Sequence, residues 1–135
     1  MIITETLNGD IILTGSTSGS ASTELGLHFI VIRVDGDGEL FWIKELTEVG
    51  IGGASALAEG PGSSVYVGGP SAIFKLNQDG EVVWKSEING TVNHILPMED
   101  GTLWAGGHVN VIPEISHMLL LKLDENGNVL LRRQY

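Results

Sequence analysis

Apolar residues in this chain come in short continuous runs rather than at helical intervals. Residues 10–14, 29–34, 64–67, 72–76, 102–105 and 118–123 are such runs, rich in Ile, Val, Leu and Phe. No stretch sets apolar side chains at i, i+3, i+4 and i+7 over the length of a helix, so little or no helix is expected. Alternation within the runs is weak. A strand that is apolar at successive positions is covered on both faces.

The runs recur in a fixed order. Three passages read almost alike: Val34-Asp35-Gly36-Asp37-Gly38-Glu39-Leu40-Phe41-Trp42, Leu76-Asn77-Gln78-Asp79-Gly80-Glu81-Val82-Val83-Trp84 and Leu123-Asp124-Glu125-Asn126-Gly127-Asn128-Val129-Leu130-Leu131. Their spacing is about 45 residues, the period of a four-stranded propeller blade. Each repeat lays out four strands: 3–6, 10–14, 29–34 and 39–46 in the first, 55–58, 64–67, 72–76 and 81–88 in the second, 92–96, 102–105, 118–123 and 128–134 in the third. Asp or Asn is followed by glycine three residues later in every copy. A large apolar residue stands four positions beyond that glycine (Trp42, Trp84, Leu131), and a base stands two before the Asp or Asn (Arg33, Lys75, Lys122). Chance does not hold such registers across three copies.

These features predict an all-β chain of three four-stranded antiparallel blades, over residues 1–48, 49–89 and 90–135. A sandwich sheet keeps one wet face, whereas a propeller sheet is pressed between two neighbours, which suits runs apolar on both sides. The Asp35-Gly36-Asp37-Gly38 segment has the alternating acids of part of a calcium loop. The second copy keeps the glycine but not the ligand density, so a capped hairpin turn is the expectation.

The pattern resembles a β-propeller repeat family of bacteria and archaea in which an ET-DG-YIVAG segment is followed by VIKLD-GN--W. Glu5-Thr6, the span from Gly9 to Gly15, Ile32-Arg33-Val34-Asp35, Gly38 and Trp42-Ile43-Lys44 carry the resemblance in the first copy. Asp100-Gly101, Lys122-Leu123-Asp124 and Asn126-Gly127-Asn128 carry it in the third, with Leu131 in the tryptophan's place. The chain is more distantly similar to quinoprotein-type repeats, in which a comparable turn docks a tryptophan between blades. What the resemblance implies is a propeller fold and not an activity; such propellers serve mainly as binding or assembly platforms. Quinoprotein enzymes would add a calcium-bound quinone, a catalytic aspartate and often a vicinal disulfide. With no cysteine here, no catalytic residue and no cofactor is carried over.

Composition narrows the partners. Seventeen acids against seven bases give a formal net charge of −10, which repels phosphate backbones and anionic lipid, so neither nucleic acid nor membrane is expected as a partner. The absence of cysteine excludes disulfides, thiolate metal sites and cysteine nucleophiles. No signal peptide is visible, the apolar runs are too short to cross a bilayer, and the compartment stays open.

Three blades do not complete a ring, which needs roughly four to eight. The end blades would expose faces built for burial, and such area marks an interface. Two copies joined by two equivalent seams would form a closed six-bladed homodimer. Burying about 500 Å² of apolar face at each seam is worth on the order of 12 kcal/mol before association costs. A larger ring, blades of another propeller chain, or a longer propeller of which this is a fragment are the alternatives.

Length variation falls on one end of the predicted ring. There lie the connections over 16–28, 70–71 and 108–117 and the links over 47–53 and 89–91, and variable loops on a rigid frame are where a protein or small ligand binds. Asn93, His94, His108 and Asn110 are the candidate ligand-binding residues at that end. The spacings of His28, His94, His108 and His117 match no metal pattern, so no metal site is assigned. Gly15-Ser16-Thr17-Ser18-Gly19 lacks a central serine and a following helix, and Gly50-Ile51-Gly52-Gly53 lacks the later glycine of a dinucleotide loop. A non-enzymatic binding or scaffold module is therefore the reading. The rival is an enzyme, for example a lyase or hydrolase, which needs a tight cluster of carboxylates, histidines or bases at the central channel, where Asn93 and His94 have no partnering acid. A purely structural fragment of a longer propeller is the third reading.

Overall fold

In a computed structural model, residues 1–18, 27–46 and 53–135 are described. They form ten strands and one 3-10 turn, with no α-helix among the described residues. The first four strands, β1 (Ile2–Glu5), β2 (Ile11–Ser18), β3 (Leu27–Val34) and β4 (Leu40–Leu46), make an antiparallel sheet in chain order. The rest, β5 (Ala56–Glu59), β6 (Val65–Leu76), β7 (Val82–Pro97), β8 (Leu103–Ile112), β9 (Ile115–Leu123) and β10 (Val129–Gln134), make a six-stranded antiparallel sheet. The chain is all-β, as its apolar runs predict.

The sequence anticipates twelve strands in three sheets, and the hydrogen bonding gathers ten in two. β6 and β7 each take up two anticipated strands. Residues 65–68 of β6 pair with β5, whereas 72–76 pair with residues 82–87 of β7; residues 91–97 of β7 pair instead with β8. The partner changes at Pro70-Ser71, where Ser71 takes a positive φ of 65°, and around Gly90 (φ 140°). These connections are too short to leave the sheet. Pro70 lies opposite Thr91, so the pairing of β6 with β7 continues past the turn, with a register shift between Pro70 and Ala72.

Two apolar clusters hold the sheets. Ile12, Val31 and Leu46 of the first sheet pack on Val65, Val67, Ala72, Phe74 and Leu76. Tyr66, Ile73 and Ile88 pack with Val92, Leu103, Ala105, Leu119, Leu121 and Leu123. Alternate residues of β6 thus enter different clusters, and the strand is covered on both faces, as its continuous apolar run requires. Each fully buried aliphatic side chain contributes roughly 1.5–3 kcal/mol. The first sheet buries one face only; Ile3 and Ile43 on the other are 61% and 56% exposed.

The three repeated turns are alike in detail. Asp35 Oδ1 accepts the N–H groups of Asp37 and Glu39, Asn77 Oδ1 those of Asp79 and Glu81, and Asp124 Oδ1 those of Asn126 and Asn128, all at 2.9 Å. Gly38, Gly80 and Gly127 follow at φ of 88°, 81° and 83°, a region in which a side chain is strained. One oxygen of the Asp35 carboxylate thus caps its own turn. Hydrogen bonds first from the Asn128 side chain and then from its backbone hold the Asp124 carboxyl below its ordinary value.

Tryptophans join consecutive repeats at these turns. Trp42 lies on Gly80, its Nε1–H donating to the carbonyl of Gln78 at 2.7 Å. Trp84 lies on Gly127 and donates to the carbonyl of Glu125 at 3.0 Å. Tyr66 supports Trp84, their ring centroids 6.0 Å apart. Burial, and then the Glu125 charge, push the Tyr66 phenol up.

Candidate functional site

β1, β5 and the second half of β7 stand where the sequence anticipates the first strand of each repeat, and they border a cavity of about 330 Å³ lined by Ile2, Ser55, Ala56, Leu57, Asn93, His94 and Ile95. Ser55 Oγ–H fixes the approach of β5 to β7 by donating to the Val92 carbonyl at 2.6 Å. A larger cavity of about 580 Å³ opens beside it, where Asn93, His94, Gly106 and Gly107 face Met118, Leu119, Leu120 and Tyr135. Asn93 and His94 therefore stand between the two. The register of β7 against β8 slips between Val92 and His94, and such a bulge re-aims side chains locally.

Of the four residues selected from the sequence, three come together. His108 Nδ1 lies 3.0 Å from Asn93 Oδ1; an amide oxygen only accepts, so Nδ1 is the donor of this bond. His94 is exposed beside them. Asn110 is exposed, opposite Ser116 in the β8–β9 register, and lines neither cavity. The loop anticipated over 108–117 is instead a hairpin, with Ile112 opposite Ile115 across a two-residue turn at Pro113-Glu114. Much of the connection over 16–28, the His28 side chain and most of the link over 47–53 lie outside the described residues.

An amide, two imidazoles and a largely apolar wall can hydrogen-bond and enclose a small group. Among the described residues, no three His, Cys, Asp or Glu side chains gather as metal ligands. No helix among them is long and apolar enough to cross a membrane.

A polar site that sequence reasoning passed over lies between the sheets. Arg33 is 5% exposed. Its Nη2 and Nε donate to Asp10 Oδ2 at 2.6 and 3.0 Å, and Nη1 donates to the Ser63 carbonyl at 3.2 Å. Together with Asn8, Trp42 and Gln78 they line a cavity of about 360 Å³. The repeated base before each turn was the available signal. In the later repeats it rests over an aromatic ring instead, Lys75 over Tyr66 and Lys122 over Trp104.

No family model matches this chain, and no curated protein matches it. Among solved structures it is similar to BamB from Moraxella catarrhalis, at 15% identity and a TM-score of 0.46. The match takes in 98% of this chain and 48% of that one. The chain thus spans about half the length of that structure.

Proposed function

We propose that this chain is a non-enzymatic β-propeller module that completes a six-bladed ring with a second copy and presents one looped face to a protein or small ligand. In this reading the six-stranded sheet is two blades sharing a continuous ladder, and the blades run over 1–48, 49–89 and 90–135. One observation carries it: the contact of Trp42 with Gly80 recurs as Trp84 with Gly127, so successive repeats meet by the same operation. A sandwich has no reason to repeat an inter-sheet contact in this way. A radial array does. The convergence of the three first strands on one cavity supports the same arrangement, with Asn93 and His94 at the central channel and His108 behind them.

Light scattering on the intact chain tests the assembly. A particle of twice 14.4 kDa is expected. A monodisperse particle of 14.4 kDa at all concentrations overturns the ring.

A further inference from the structure

The two ends of the array carry matching halves of the contact that joins its repeats. At one end, the Asp35–Gly38 turn has the internal hydrogen bonds and the glycine φ of its two counterparts. Gly80 is buried under Trp42, whereas Gly38 is exposed with no atom within 4 Å of a side-chain position. At the other end, Leu131 lies opposite Lys122, as Trp42 lies opposite Arg33 and Trp84 opposite Lys75. Among the described residues no glycine lies against Leu131 as Gly80 lies against Trp42 and Gly127 against Trp84.

The flanking faces match as well. On the outward face of the first sheet, Ile3, Leu13, Ile32 and Ile43 form a row across all four strands, with Glu5 and Glu45 on the same face. On the outward face of β7–β10, Leu96, Trp104, Lys122 and Leu131 form a corresponding row, beside one that contains Leu120 and Arg133. Acids border one apolar face and bases the other, which favours joining unlike faces over like ones.

We infer that the occupant of each face is a second copy of this chain: the outward face of β7–β10 in one copy packs on the outward face of β1–β4 in the other, and Leu131 seats on the turn at Gly38. This rests on the ring reading. It adds that the seam is the weakest junction, because leucine has no N–H to donate to the carbonyl of Gly36, which corresponds to Gln78 and Glu125. Ring closure is therefore reversible, and position 131 sets its strength.

The dissociation constant of the dimer, measured by sedimentation on dilution, tests this. Leu131→Trp supplies the missing donor and is expected to tighten the dimer about tenfold or more. Ile43→Glu and Leu131→Glu, on opposite faces, are each expected to weaken it by about tenfold or more. Mixing these two variants leaves one unaltered seam per mixed pair, so the mixture associates more tightly than either variant alone. A wild-type dimer whose constant is indifferent to position 131, or a mixture with no recovery, overturns the seam and leaves the ring standing. A wild-type monomer overturns both and assigns the faces to another chain. Should Leu131→Trp fail to fold, the mixing experiment decides.

Discussion

The indole of Trp42 occupies the space a side chain on Gly80 would need, with ring carbons 2.7 and 2.8 Å from that position. The two residues belong to consecutive repeats, so the glycine serves its own turn and also its neighbour's tryptophan. Gly80→Ala should cost about 2–3 kcal/mol, from strain at positive φ plus displacement of the ring. Trp42→Phe should cost less, about 1 kcal/mol, for the lost hydrogen bond. Chemical denaturation orders them; an alanine variant as stable as wild type would contradict the contact.

Adjacent glycines in β8 should respond oppositely. A side chain on Gly107 would collide with the backbone carbonyl of Thr91, whereas one on Gly106 meets nothing within 4 Å. Gly107→Ala must part β7 from β8 and is expected to cost at least about 3 kcal/mol. Gly106→Ala should stay within about 0.5 kcal/mol. Thermal unfolding of the pair is the measurement.

Removing one member of the Arg33–Asp10 pair should hurt unequally. The Arg33 side chain is 6% exposed and that of Asp10 is 18% exposed. Asp10→Ala strands a buried guanidinium and should cost about 3 kcal/mol or more. Arg33→Met leaves a carboxylate that can reach water beside an apolar replacement of similar length, so its cost should be smaller. Equal losses in a urea titration would show that the pair is not desolvated as its geometry requires.

Acid should loosen the third turn. Hydrogen bonding depresses the Asp124 carboxyl below its ordinary 3.8 in the folded chain. The stabilisation is therefore complete above that value and is lost as pH falls through the folded one. Asn77 caps the second turn through an oxygen that does not titrate. Asp124→Asn should therefore keep the turn and lose the dependence, so the difference in Tm between wild type and variant changes across the acid limb. A difference that stays constant down to about pH 2 would refute this.

The parts of the fold that the sequence made legible are those written in local chemistry. Asx-x-x-Gly spells a capped turn with a positive φ, and all three turns formed where that pattern stands. Apolar strands with little alternation pointed to burial on both faces, which β6 has. The continuity of β6 and β7 was not legible, because it depends on Pro70 meeting Thr91 from a distant part of the chain. The 108–117 hairpin was missed for another reason: His108, Asn110, Ser116 and His117 dilute an otherwise strand-like pattern with polar groups. At the candidate site, Asn93 and His94 follow from their position on the first strand of the third repeat, whereas His108 follows from the connection anticipated over 108–117. Asn110 was grouped with them on the strength of a loop that does not form. The repeated base was visible as a register, but its partner Asp10 was not.

The partner exchange within β6 and β7 has a mechanical consequence. Among the described residues, no backbone-to-backbone hydrogen bond crosses from β1–β4 to the remaining strands; the side chains of Trp42, Arg33 and Glu59 and apolar packing bridge that gap. The remaining strands share one hydrogen-bonded sheet, shifted in register at a few points. Under tension or mild denaturant the amino-terminal leaf is expected to peel away first, trading its protected amides for deuterium while the remainder stays closed.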